Sequence, residues 1–176
     1  MVCRFNPNLN KPLTWFSHEE GKYFIEARMN FDWKNTAAIL MGKTFSKKPT
    51  FWITPKVGFL FGFNSDGYNG FSPEINCGGA YKAFHYFAMN QCALSFGGGN
   101  PSFYYEYTQL GYNTKYFNIN CAFQFFKSLV SHTDVYIDIG PQVFIPIQKF
   151  YIKPWYTIDP GHVFIRKFVI GVGYHF

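Results

Sequence analysis

The stretch YFIEARMNFDW, Tyr23 to Trp33, alternates without a break. Tyr23, Ile25, Ala27, Met29, Phe31 and Trp33 share one face; Phe24, Glu26, Arg28, Asn30 and Asp32 share the other. Successive side chains of a strand point to opposite sides, so a period of two predicts a strand with one apolar and one strongly polar face. Most strands of soluble sheets run to about five or six residues. Tyr23 to Trp33 has the length of roughly 9–11 residues that a tilted strand needs to cross a bilayer.

The same pattern recurs along the chain. Thr36 to Phe45 sets Ala37, Ile39, Met41 and Phe45 on one face. Phe51 to Gly62 places Phe51, Ile53, Pro55, Val57, Phe59 and Phe61 against Thr54, Lys56 and Gly58. Phe71 to Tyr81 sets Ile75 and Cys77 against Glu74 and Asn76, whereas Phe84 to Phe96 carries bulk on both faces at His85, Phe87 and Met89. Phe103 to Tyr112 is tyrosine-rich, with Glu106 and Thr108 assigned to the inner side. Tyr116 to Phe126 alternates cleanly, and Val135 to Ile145 opposes Asp138, Gly140 and Gln142 to a row of Val and Ile. Lys149 to Thr157 and His162 to Phe176 complete the series. The only room for a helix is a short turn near Leu13 to Gly21, where Ser17 is a suitable cap.

Connections fall into two lengths. Those at Lys82, at Asn113 to Lys115 and at Gln148 are tight; Asn64 to Gly70, Gly97 to Ser102, Lys127 to Asp134 and Ile158 to Gly161 are mostly longer and rich in Gly, Asn, Asp or Pro. Alternating short and long connections are expected of an up-and-down barrel with turns at one end and loops at the other. A tight connection at Trp33 to Asn35 breaks the rule at the first hairpin.

Composition supports a barrel whose outside is not water. Of 176 residues, 23% are aromatic and only 15% charged, below the roughly 25–35% usual for a solvated surface. The net charge of +6 comes from scattered Lys and Arg, which gives no nucleic-acid-binding patch. No apolar run is long enough for a transmembrane helix, and the first residues, MVCRFNPNLNKPL, lack the apolar core of a signal peptide. Cys3, Cys77, Cys92 and Cys121 form no metal-ligand pattern and read as small hydrophobes. A hairpin centred near Lys82 to His85 could bring Cys77 opposite Cys92, so a disulfide there stays open.

Bulky Phe, Tyr and Trp on nearly every strand suit a lipid-facing belt, with Tyr and Trp near the interfaces. Pro55, Pro73, Pro141 and Pro154 oppose a fully regular ladder, since each removes a donor. The last residues, FVIGVGYHF, keep the alternation to the terminus: Phe168, Ile170, Val172, Tyr174 and Phe176 on one face. Here the chain resembles bacterial outer-membrane β-barrel proteins, whose last strand commonly ends in alternating aromatics and a terminal Phe. The resemblance implies that these five residues form a membrane-insertion signal read by the barrel assembly machinery, and that outer-membrane lipids and lipopolysaccharide surround the chain. The segments NFDWKN and KVGFLFG are similar to small porin-like barrels of Bacteroidetes type. Four cysteines depart from the habit of the class.

Outer-membrane barrels include lipid-modifying hydrolases with a Ser/His pair. The histidines here are His18, His85, His132, His162 and His175, and only Ser131/His132 are adjacent, with no spacing that repeats a hydrolase motif. Gly97 to Asn100 lacks the Lys-Ser/Thr and the helix of a phosphate loop. Tyr104, Tyr105, Tyr107, Tyr112 and Tyr116 serve as interfacial anchors or line a lipid or glycan pocket.

The sequence therefore predicts an all-β protein: an N-terminal extension over 1–22, then a closed, up-and-down, antiparallel transmembrane barrel over 23–176 with about ten strands, between eight and twelve. Glu26, Arg28, Asp32, Lys56, Glu74, Glu106 and Asp138 are expected to line its lumen as a charge-paired network or a small channel. The expected role is a structural or passive channel-like one in the bacterial outer membrane, without catalysis, cofactor, metal or nucleic acid. A soluble lipocalin-like barrel with its aromatic face inward, and an outer-membrane hydrolase, are the rivals.

Overall fold

The computed structural model describes residues 2–5, 13–29, 35–48, 50–65, 67–97, 101–130, 135–158 and 166–174. Among the described residues thirteen strand segments follow one another: β1 (Val2–Phe5), β2 (Leu13–Glu20), β3 (Tyr23–Met29), β4 (Thr36–Lys43), β5 (Phe45–Lys48), β6 (Phe51–Gly62), β7 (Gly70–Tyr81), β8 (Phe84–Ser95), β9 (Phe103–Asn113), β10 (Asn118–Ser128), β11 (Val135–Ile147), β12 (Phe150–Ile158) and β13 (Arg166–Tyr174). No helix among the described residues is long and apolar enough to cross a membrane, which says nothing about strands.

Every pairing is antiparallel, and the pairings close a ring. Each strand from β6 to β13 pairs with its chain neighbour, β13 pairs with β1, and β1 to β4 continue in order. The ring closes where β4 pairs with β6 from Thr36↔Gly62 to Gly42↔Lys56. β5 prolongs β4 along the same partner, β6. With β4 and β5 taken as one stave, broken at Thr44, the barrel has twelve staves, at the top of the expected range. Among the described residues every stave has a neighbour on both sides, with only the short β5 segment paired on β6 alone, as a sheet surrounded by hydrocarbon requires.

The first strands correct the sequence reading. Leu13 to Glu20 is a strand, not a capped turn, and Val2 to Phe5 pairs with both β2 and β13. The segment 1–22 is thus not an extension outside the barrel, because β1 and β2 are two of its staves. Both were hard to see. β1 has four residues, and β2 puts Ser17, His18, Glu19 and Glu20 at its turn end, where alternation in polarity fades.

With these staves in place the two loop classes separate cleanly. The turns at 21–22, 82–83, 114–117 and 148–149 lie at one end, and β1, β3, β6, β8, β10 and β12 end at the other. The tight connection expected at Trp33 to Asn35 falls on 33–34, which lie outside the described residues. Lys82 and Gln148 take the left-handed conformation, with φ of 55° and 56°, that a two-residue turn needs.

The prolines also find their places. All four lie on strands and on the outward parity, and each coincides with a gap in one ladder. Pro55 stands where β4 hands over to β5; Pro73 falls in an unpaired step of β7 with β8; Pro141 and Pro154 fall in gaps between β11 and β12. Each missing N–H is thus placed where the ladder is already interrupted.

The outside is predominantly apolar. Phe59 and Phe61 are each 50% exposed, Ile119 is 48% and Leu110 is 62%. The inside holds Glu26, Arg28, Lys56, Glu74, Gln91 and Gln142, all buried. This inverts a water-soluble barrel and removes the lipocalin-like rival, which required the aromatic face inward. Aromatics are not confined to the outside, however. Trp155, Tyr107, Phe103 and Tyr151 are buried within the barrel, because twelve staves leave a wider interior to fill than ten.

Candidate functional site

The lumen is built from the inward row of each strand. Glu26 and Arg28 are two apart on β3, so both point inward; Lys56 on β6 and Glu74 on β7 are direct cross-strand partners. The four form a closed cycle. Arg28 Nε bonds Glu26 Oε1, and its Nη2 lies 2.9 Å from Glu74 Oε1 and 2.7 Å from Oε2. Lys56 Nζ closes the ring at 2.7 Å from Glu26 Oε2 and 2.9 Å from Glu74 Oε1. Two cations and two carboxylates cancel, which lets all four be almost fully buried. Arg28 also stands over the Trp15 ring at 4.9 Å and Lys56 over Phe24 at 4.5 Å.

Toward the loop end the lumen is apolar. Leu40, Leu60, Ala93 and Phe103 close around Tyr68, which dips in from the 63–69 connection. Tyr68 Oη donates to the Ala93 carbonyl at 3.0 Å, its N–H donates to Thr36 Oγ1 at 2.8 Å, and its ring meets Phe103 edge-on at 5.4 Å. Burial holds the Tyr68 hydroxyl above the usual tyrosine range, against the opposing effect of bonds to Ser102 and Ser95.

Toward the turn end the two sides of the lumen differ. On one side, His85 Nε2 lies 2.7 Å from Asn120 Oδ1 and 3.3 Å from Gln109 Nε2, and Lys153 Nζ donates to Gln109 Oε1 at 3.4 Å. Gly111 makes room for this group: a Cβ there would lie 1.9 Å from Asn120 Oδ1 and 2.4 Å from the His85 ring. On the other side, Trp15, Phe24, Trp52 and Phe87 surround a cavity of about 280 Å³ with Lys56 and Asn76 also in its wall.

The predicted lumen residues divide accordingly. Glu26, Arg28, Lys56 and Glu74 come together in one cycle. Asp138 also points inward, opposite Gln124, but on β11 and apart from that cycle. Asp32 lies outside the described residues. Glu106 is a correction: it alternates with the buried Tyr107 and shares its parity with the exposed Leu110 and Tyr112, so it faces outward. There Thr108 Oγ1 donates to Glu106 Oε1 at 3.1 Å, and Tyr104 Oη donates to Asn90 Oδ1 at 2.6 Å. A strand reading fixes which residues share a face but not which face is inside, and Tyr on both sides of β9 masked the answer. The five tyrosines line no common pocket: Tyr105 and Tyr107 point inward, whereas Tyr104 and Tyr112 have outward parity and Tyr116 is exposed beside the turn.

Phe168, Ile170 and Val172 of the terminal segment are exposed on the outside, and Tyr174 packs its ring on Phe150 at 4.8 Å; Phe176 lies outside the described residues. Cys77 stands opposite Ala88 and Cys92 opposite Tyr104, and both thiols are free, so the suggested disulfide is absent. Ser131, His132, His162 and His175 lie outside the described residues. Among the described residues no cluster of His, Cys, Asp or Glu could hold a metal. Residues that sequence reasoning missed are Tyr68, Trp15 and Trp52. Trp52 was legible as a large side chain of the parity of Thr54 and Lys56; Tyr68 sits in a connection and carried no signal.

No protein-family model matches the sequence, and no curated protein does. Solved structures do match. The KdgM porin superposes with a TM-score of 0.72 at 12% identity, over 99% of this chain and 96% of that one. A second structure, the KdgM porin in complex with disordered oligogalacturonate, gives 0.73 at 12% over the same shares. The NanC porin gives 0.69 at 10%, over 99% and 98%. At such identities the likeness is one of fold, and it extends over nearly the whole length of each chain. The chain has the closed β-barrel fold of these porins.

Proposed function

We propose that this protein is a small integral outer-membrane β-barrel whose narrow, polar lumen serves as a passive conduit, without catalysis. The observation that carries the reading is the inverted polarity of a closed ring: an outside that is apolar apart from the Glu106, Thr108 and Asn90 group, around an inside that contains a buried, charge-neutral Glu26/Arg28/Glu74/Lys56 cycle. Water-soluble barrels are not built this way, and hydrocarbon tolerates only closed barrels among sheets. The likeness to the KdgM and NanC porins supports the same reading.

On this proposal the outer surface is covered by outer-membrane lipid and lipopolysaccharide, and the alternating terminal strand is presented to the barrel assembly machinery. The Bacteroidetes-type likeness belongs to the proposal too, resting on KVGFLFG in β6. The oligogalacturonate bound by one neighbour is a polyanion. In this lumen the buried cations Arg28 and Lys56 are each held by carboxylates, so the favoured solutes are small and uncharged.

Planar-bilayer recording tests the reading. The expected result is a small, discrete conductance with weak ion selectivity, raised when Tyr68→Ala removes the side chain that fills the loop end. Properly inserted protein that never conducts, with or without Tyr68→Ala, would assign the barrel a purely structural role.

A further inference from the structure

The cavity at the turn end is a recess in the lumen wall that meets the charged cycle at Lys56. Its walls are rings. Trp52 and Phe87 stand 5.9 Å apart at 40°, an angled pair with room between it and the facing Trp15 and Phe24. Trp52 is seated by a glycine: a Cβ on Gly78 would lie 2.7 Å from Trp52 Cζ2. The indole is therefore held flat against the wall and its position is set before anything binds.

The polar groups around the cavity are nearly all engaged. Thr44 and Thr54 bond each other at 2.8 Å, Lys56 is held by Glu26 and Glu74, and Glu19, an exposed carboxylate that also lines the cavity, is engaged as well. The exception is Asn76, 5% exposed, whose Oδ1 has no hydrogen-bond partner among the described residues. A buried amide oxygen left this way is costly, and a ligand donor would relieve it.

We propose that this cavity binds a neutral, planar heteroaromatic ring that carries a hydrogen-bond donor beside an acceptor, stacked against Trp52 and Phe87 and paired edge-on with the Asn76 amide. The chemistry selects this class. An asparagine amide offers one donor and one acceptor side by side, and the edge of a purine-type base complements it. A pyranose would stack on the same rings, but beyond the Asn76 amide and the already engaged Glu19 carboxylate its several hydroxyls would meet mostly ring carbon. A polyanion finds no unpaired buried cation in the cavity wall among the described residues, since Lys56 is held by Glu26 and Glu74. The volume of about 280 Å³ admits one or two fused rings. This site goes beyond the passive-conduit reading and stands whether or not the barrel conducts.

The test uses the full chain in lipid nanodiscs, with adenine as the probe and binding followed by calorimetry and saturation-transfer NMR. Saturable binding below about 10 mM is expected, with Asn76→Leu weakening it about tenfold through loss of the paired edge. Trp52→Phe, which keeps a ring but shortens the stacking surface, is expected to weaken it a few-fold. Phe123→Leu on the outer face is expected to leave it unchanged. Heat-shifted gel mobility checks that each variant is folded. The proposal is overturned by adenine that does not saturate, by Asn76→Leu binding within twofold of the parent, or by glucose binding as tightly as adenine. Binding without conductance would uphold the site while removing the conduit, and conductance without binding would do the reverse.

Discussion

Replacing Glu74 by Leu should be among the most damaging single changes to the barrel, and replacing Lys56 at the same time should undo part of the damage. Glu74 sits between two cations, with Arg28 Nη2 at 2.7 Å and Lys56 Nζ at 2.9 Å. At an effective dielectric of about 20, each contact represents roughly 6 kcal/mol of gross attraction. Most of that is offset by the several kcal/mol that removing each ion from water costs. Glu74→Leu leaves Arg28 and Lys56 sharing Glu26, one net buried positive charge, at a cost of about 3–5 kcal/mol. Lys56→Met leaves a net negative charge and should cost about as much. The double variant returns to neutrality with Arg28 bonded to Glu26, so its loss should fall below the sum by about 2 kcal/mol or more. Urea unfolding in lipid vesicles, followed by tryptophan fluorescence, gives the four free energies of the cycle. Losses that add to within about 0.5 kcal/mol would refute the idea that the four charges act as one unit.

Two further outcomes follow from the geometry. Ile75→Arg places a cation halfway along β7 on the apolar outside, where Ile75 is 48% exposed; it should cost about 2–4 kcal/mol in a bilayer, measured by the same titration, whereas on a solvated surface it would stay within about 0.5 kcal/mol. Gly111→Ala drives a methyl into Asn120 Oδ1 and the His85 ring and should destabilise by about 1–3 kcal/mol, with His85→Ala in the same chain recovering part of the loss.

The sequence announced the long strands well and their orientation unevenly. β6 runs over the twelve residues from Phe51 to Gly62 that its alternation marks out, and Glu26, Arg28, Lys56 and Glu74 could be assigned to the polar row because their neighbours on the other row are consistently apolar. Their union in one cycle was not legible, since it depends on the slant of register between β3, β6 and β7 across the intervening β4. Glu106 was misplaced because β9 carries bulk and polarity on both rows; the deciding fact is Tyr107 packing on Trp155 at 5.8 Å across the lumen. β1 and β2 escaped for lack of length and contrast. Tyr68 plugs the loop end from a connection, where periodicity has nothing to say.

The central claim is that hydrocarbon, not water, faces the outward rows of Phe, Ile and Leu. Its most direct test is folding with and without detergent or lipid, read by far-UV circular dichroism and by gel mobility before and after boiling. The account predicts a β-rich spectrum and a boiling-dependent mobility shift in detergent or lipid, and aggregation in plain buffer. A monodisperse, β-rich monomer in plain buffer would contradict it.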